Sequence, residues 1–235
     1  MARIVVAHGA WSSAFAWRRM HALLRERGHT LWVPTLTGLG ERSHLSNRSI
    51  DLDMHVRDVC NMLFHEDLND IVLIGHSYGG MVATGVADRE PARIRRLVYL
   101  DAFAPRDGDS LLGLLPEPAR ARMLELARSE GDGWRIPSNP LPDDTSPEDV
   151  AWLTPRRHPQ PIETFRQPIR LAKGEPAMPR HYVYCTKIAP GDVFGRFAAR
   201  ARTEGGWGYD EIDASHNPHV TVPDALAELI DRMAS

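Results

Sequence analysis

The chain has 235 residues, 43% of them hydrophobic, which is enough for one sizeable core. Its formal charge is −3, with 28 Lys and Arg scattered against 31 Asp and Glu, so a nucleic-acid surface is excluded for want of a basic stripe. No run reaches the ~18 apolar residues of a membrane span, and two distant cysteines, Cys60 and Cys185, make neither a disulfide framework nor a metal spacing.

The elements come in alternation. "RIVVAH" is a buried strand ended by Gly9, and "SAFAWRRMHALLRERG" is a helix with a serine before it and Gly28 at its end. "TLWVP" is a strand, "TLTGLGERSHLSNRS" a loop and "IDLDMHVRDVCNMLFHED" an amphipathic helix. "DIVLIGH" is a strand, "YGGMVATGVADRE" a helix and "IRRLVYLDAF" a strand. Continuous apolar strands joined by helices predict a mostly parallel sheet flanked by helices, an α/β fold.

The pattern breaks over about residues 105–178. This stretch is proline-rich, with one helical piece, "LPEPARARMLELARSEG", and loops such as "WRIPSNPLPDDTSPEDV". The alternation then returns as "HYVYCT", "DVFGRFAARAR", "WGYDEID" and "VPDALAELIDRMA". The expectation is one domain over 1–235 with a helical cap inserted between two strands, above the strand ends where open α/β sheets bind ligands.

The chemistry centres on "GHSYGG". G-x-S-x-G between a strand and a helix is the nucleophile-elbow pattern, with Gly75 and Gly79 keeping the turn clear and Ser77 pushed to the top of the sheet. A serine hydroxyl needs a base. Of eleven histidines, His8 and His76 belong to strand ends; His21, His29, His55 and His65 to helices; His44 to a loop; and His158 to the cap. His181 opens a strand at the end away from Ser77. His216, in "IDASHNPHV" after the last strand, emerges at the same end as Ser77 and is the expected base; His219 is a pocket residue or a bystander. "HNPH" has no further ligand nearby, so no metal is expected. The oxyanion donors are expected to be the N–H groups of Tyr78 and, in "HGAWSS", of Ala10.

These motifs resemble an α/β-hydrolase of the group holding plant methyl esterases, plant hydroxynitrile lyases and bacterial esterase relatives. The matching pieces are "VVAHGAW", "PTLTGLGERSHL", "GHSYGGMV", "LVYLDAFAP", "YVYCT" and the His216 loop. The resemblance implies a Ser-His-acid triad, no cofactor and a helical cap over a mostly apolar pocket. Lyases of the group carry a threonine beside the oxyanion loop and a lysine after the histidine. Gly9 and Asn217 stand there in this chain, which favours ester hydrolysis. Many plant members place the acid shortly after the strand "YVYCT"; that position falls on Ile188, with Asp192 the nearest carboxylate beyond "APG". Asp101, at the end of "LVYLDAF", is the preferred acid, since a strand-end carboxylate needs a partner and His216 can supply one. Asp192 is the alternative, reading otherwise as a helix cap.

The expected activity is hydrolysis of small carboxylic esters by Ser77, His216 and Asp101. Gly9, Trp11, Phe103, Trp134 and Trp152 are the expected substrate contacts. A lactonase, thioesterase or carbon–carbon lyase on the same residues, or a hydrolase-like receptor for a small ligand, is the alternative. The expected partner is a small-molecule ester, with no nucleic acid and no membrane; a homodimer stays open, and the expected location is cytoplasmic.

Overall fold

The computed structural model describes residues 1–188 and 191–234. Among the described residues eight strands form: β1 (Arg3–Ala7), β2 (Thr30–Trp32), β3 (Ile71–His76), β4 (Ile94–Leu100), β5 (Arg135–Ile136), β6 (Gln160–Pro161), β7 (Arg180–Cys185) and β8 (Trp207–Ile212). Six of them make one sheet in the order β2-β1-β3-β4-β7-β8, every neighbouring pair parallel. Side chains alternate faces along a strand. Val5, Leu73, Leu97 and Tyr182 therefore enter one core with Val59, Met81 and Val86, while Ile4, Val72, Val98 and Val183 enter a second with Met20, Leu24 and Ile230. Burial on both faces explains the unbroken apolar strands.

The chain leaves β1 toward one edge of the sheet and β3 toward the other. Connections that diverge in this way open a crevice at the carboxyl ends of the two strands. Gly9 and Ser77 lie at that crevice, and Asp101 and His216 follow the parallel strands β4 and β8, so all four arrive at one end of the sheet.

A 3-10 turn, Ala14–Trp17, leads into α1 (Arg18–Glu26), which ends on Gly28 at φ +80°. The segment expected to be loop before α2 holds a 3-10 helix, Gly40–Leu45, because Arg42 Nη1 donates to Thr35 O at 2.8 Å and Asp58 accepts from Thr37 N at 2.7 Å. Helix α2 (Leu52–His65) is capped by Asp51, which accepts from Met54 N at 2.9 Å. Helix α3 (Gly79–Arg89) is buried along nearly its whole length.

Between β4 and β7 the chain makes α4 (Leu111–Leu114), α5 (Glu117–Ser129), α6 (Pro147–Leu153) and α7 (Glu163–Arg166), and β5 pairs antiparallel with β6 apart from the main sheet. Helix α6 falls in a stretch expected to be loop. Ser146 caps it by accepting from Asp149 N at 3.1 Å, and Pro147 occupies its first turn, where a missing N–H does no harm. The chain closes with α8 (Gly195–Thr203), α9 (Pro218–Thr221) and α10 (Pro223–Ala234). Cys60 and Cys185 are free thiols. Among the described residues no helix is long and apolar enough to cross a membrane.

Candidate active site

The turn from β3 to α3 leaves Ser77 at φ +56°, a left-handed conformation that a residue with a Cβ reaches at a strain of about 1–2 kcal/mol. The surroundings hold it there. Ser77 N donates to Leu100 O at 3.3 Å, and its carbonyl accepts from Gly80 N at 3.1 Å and Phe103 N at 3.2 Å. A Cβ on Gly79 would overlap the Ala7 carbonyl, and one on Gly75 would lie 2.7 Å from Gly79 O. The two glycines of the motif are thus what lets helix and strand approach closely enough to make the turn.

His216 reaches the serine from the loop after β8. Its Nε2 is 2.8 Å from Ser77 Oγ, and its Nδ1 is 2.7 Å from Asp101 Oδ2. The carboxylate accepts from Nδ1–H, which leaves the Nε2 lone pair to accept the serine proton. Asp101 follows β4 at φ +42° and is 4% exposed. It is pinned on both sides: its N–H donates to Val183 O at 2.8 Å, and Oδ1 accepts from Cys185 N at 3.4 Å. The ring of His216 stacks on Phe194, centroids 4.8 Å apart and planes 10° from parallel, while His216 O accepts from His76 Nε2 at 2.7 Å. Burial, reinforced by His219 and His216, holds the His76 pKa well below 6.5, so this donor stays a neutral imidazole.

Asp192 does not approach His216 in this way. It accepts from Tyr184 Oη at 2.8 Å, Phe194 N at 3.0 Å and Gly195 N at 2.8 Å, closing the start of α8. Ile188, the position of the acid in many plant members, is exposed, and Ala189 and Pro190 of "APG" lie outside the described residues.

The loop after β1 runs against the elbow. A Cβ on Gly9 would meet His76 Nδ1 at 3.0 Å and Ser77 Cβ at 3.2 Å, so only a glycine lets Ala10 come alongside the serine without displacing a neighbour. Trp11 then turns at φ +58° and is tied to the inserted segment twice: its N–H donates to Gln160 Oε1 at 3.2 Å and its Nε1 to Ile136 O at 2.8 Å. Tyr78 is the N-cap of α3, where an N–H has no intrahelical acceptor. Its hydroxyl donates to His55 Nδ1 at 2.9 Å, and His55 Nε2 donates to Thr37 O at 2.9 Å. Sequence reasoning missed the clamp of Gln160 on this loop, which joins residues 149 positions apart.

Above Ser77 lies a cavity of about 1010 Å³. Gly9, Ala10, Trp11, Tyr78 and Phe103 are in its wall, joined by Met123, Phe165 and Phe194. Trp134 and Trp152 are not, which corrects the expectation for both. Each indole is drawn aside by guanidinium groups over its face. Trp134 lies 4.9 Å from Arg135 and 5.9 Å from Arg48; Trp152 lies 3.6 Å from Arg18 and 4.5 Å from Arg156, with Phe15 edge-on at 5.5 Å. Phe15 and Leu153 line the cavity. His219 also lines the cavity, stacked on Trp17 at 4.4 Å, and burial pushes its pKa down to about 3. Among the described residues no group of three or more His, Cys, Asp or Glu is arranged to hold a metal.

The sequence model of the alpha/beta hydrolase family matches residues 4–229. The chain belongs to the alpha/beta hydrolase family. Over 240 residues this hydrolase is 38% identical to the carbendazim hydrolyzing esterase of Nocardioides sp. (strain SG-4G), covering 97% of this chain and 98% of that one. It is 28% identical over 109 residues to Methylesterase 7 of Arabidopsis thaliana, covering 44% of this chain and 40% of that one. Its fold is similar to that of an extracellular alpha/beta-hydrolase from a Paenibacillus species, described as sharing structural and functional homology with tobacco salicylic acid binding protein 2. The TM-score is 0.85 at 26% identity, with 100% and 99% of the two chains covered. The chain is an enzyme of the hydrolase class.

Proposed function

We propose that this hydrolase cleaves carboxylic esters of small molecules through an acyl-enzyme on Ser77. Ser77 Oγ attacks the ester carbonyl carbon while His216 Nε2 takes its proton, and Asp101 orients the ring and stabilises the imidazolium. The N–H groups of Ala10 and Tyr78 hold the negative oxygen of the tetrahedral intermediate. The carbon–oxygen bond to the alcohol then breaks, and His216 returns its proton to the departing alkoxide. Water repeats the sequence on the acyl-serine: His216 takes one proton, hydroxyl adds to the carbonyl, and the carboxylic acid leaves as the proton returns to Ser77.

The observation that carries this reading is the hydrogen-bonded line from Ser77 Oγ through His216 to Asp101, drawn from three strand ends onto the floor of one cavity. The esterase name of the Nocardioides relative supports the ester bond as the target. Residues 105–178 act as a cap: Leu111, Met123 and Phe165 from this stretch help wall the cavity. Gly9, where a Cβ would press on His76 and Ser77, and Asn217 speak against cyanohydrin cleavage. Two free thiols suit a reducing, cytoplasmic setting.

The test is turnover of a chromogenic short-chain ester. Wild type hydrolyses it, a serine-directed phosphonate labels Ser77 alone, and Ser77→Ala loses kcat by roughly 10⁶. Near-normal turnover by Ser77→Ala, or rapid release of cyanide from mandelonitrile by wild type, overturns the proposal.

A further inference from the structure

Arg157 is a cation in the cavity wall that no carboxylate of the described chain neutralises. It follows the 3-10 turn Thr154–Arg156 and is half-buried. Its Nη1 donates to Asn139 O at 2.5 Å, and its Cζ lies 5.9 Å from the Trp11 ring; Asn139 and Trp11 share the cavity wall with it. Burial alone acts on its pKa, pushing it down to about 10, and no neighbouring charge offsets the effect. One of its five N–H donors is used on Asn139, and among the described residues no other protein group accepts from it.

The other charges around the cavity are accounted for. Arg122 and Lys187 are exposed to solvent, the latter 3.9 Å from Asp213. Asp101 holds His216, and Asp192 accepts from Phe194 N and Gly195 N at the start of α8. Asp144 accepts from the Ser215 hydroxyl at 2.5 Å and from Ser215 N at 3.3 Å, and Asp143 is exposed. A half-buried guanidinium with no carboxylate beside it is partly desolvated and uncompensated, and an anion in the cavity would complete it. Its planar fork matches a carboxylate, which it holds by two parallel hydrogen bonds.

We infer that Arg157 is an anion-recognition residue of this cavity, and that the preferred substrates are esters bearing a free carboxylate besides the ester group. The inference rests on the proposed esterase reading. The cavity is large enough for such a molecule to set its ester on Ser77 and its carboxylate toward the Trp11 side of the wall.

Two matched pairs test it, one with the carboxylate on the acyl group and one with it on the leaving group. They are 4-nitrophenyl hemiglutarate against 4-nitrophenyl valerate, and 4-acetoxybenzoate against phenyl acetate. The expected result is a kcat/KM ratio that favours the anionic member of at least one pair by about 10- to 100-fold, the worth of hydrogen bonds to a charged group. Arg157→Gln removes that ratio, and Arg157→Lys keeps only part of it, lacking the fork. A purely structural role would lower both members of a pair together and leave the ratio unchanged, which overturns the inference. So does a wild type that turns over the neutral esters with no anionic preference in either pair, while the esterase reading survives. Loss of turnover on every ester overturns the esterase reading itself. If Arg157→Gln fails to fold, wild-type inhibition decides: 4-hydroxybenzoate must inhibit at least tenfold better than 4-hydroxybenzamide, and equal inhibition overturns the inference.

Discussion

The carboxylate of Asp101 lies 2.7 Å from Nδ1 of His216, a residue 115 positions later in the chain. Two parallel strand ends bring them together, and the backbone of Asp101 is held by Val183 on the neighbouring strand. A rigid support of this kind is what an orienting acid requires. Asp101→Asn is expected to lower kcat by about 10⁴, with KM and the melting temperature little changed. Asp192→Ala is expected to keep kcat and lose about 1–2 kcal/mol of stability, the worth of a helix cap. Steady-state kinetics with urea titrations on both variants check this. Loss of turnover confined to the Asp192 variant would hand the acid role to the later position.

Gly9→Ala tests how closely the β1 loop must approach the elbow. The new methyl would press on His76 Nδ1 at 3.0 Å and Ser77 Cβ at 3.2 Å. Displacing an oxyanion donor by a fraction of an ångström is expected to lower kcat by roughly 10–100-fold with a smaller change in KM. An unchanged kcat would remove Ala10 from the oxyanion role.

Gln160 is fully buried and accepts from Trp11 N across 149 residues. Gln160→Ala leaves that N–H unsatisfied at a cost of about 1–3 kcal/mol and frees the loop carrying Ala10. The expected outcome is a lower melting temperature and a kcat reduced by about tenfold. Equal kcat in wild type and Gln160→Ala would make the clamp purely structural.

Acid should destabilise the fold from pH 6.5 downward, through its buried histidines. His219 is buried with its pKa pushed down to about 3 and His8 to about 4, against 6.5 unfolded. Both stay neutral in the native state while the unfolded chain takes up protons. Their contribution is therefore complete above pH 6.5 and is lost as pH falls from there through about 4 toward 3, by up to ~1.4 kcal/mol per pH unit for each group. The urea midpoint is expected to fall between pH 6.5 and 4, and less steeply in His219→Phe, which keeps a ring on Trp17. A midpoint independent of pH over that range would contradict the burial of these rings.

The parallel sheet and the elbow were legible in the sequence because each has a local signal. Apolar runs with β-branched residues mark strands buried on both faces, and the glycines around Ser77 mark a turn that no larger residue permits. His216 and Asp101 were legible from position alone, since both directly follow strands that a parallel sheet points toward the serine. Residues 105–178 were legible as an interruption but not in detail. The capped start of α6 was there to be read in "SPED", whereas the two-residue strands β5 and β6 leave no periodic trace. Which aromatics wall the cavity was decided by tertiary structure: Trp134 and Trp152 lie against arginines, Arg135 and Arg156 close by in the chain and Arg48 and Arg18 brought near by the fold, while Phe15, Phe165 and Phe194 line the wall. The same holds for the clamp of Gln160 on Trp11 and for the unpaired Arg157. A turn or a strand is set by neighbours along the chain, but the direction an irregular segment faces is set by contacts more than a hundred residues away, and those exist only once the core has closed.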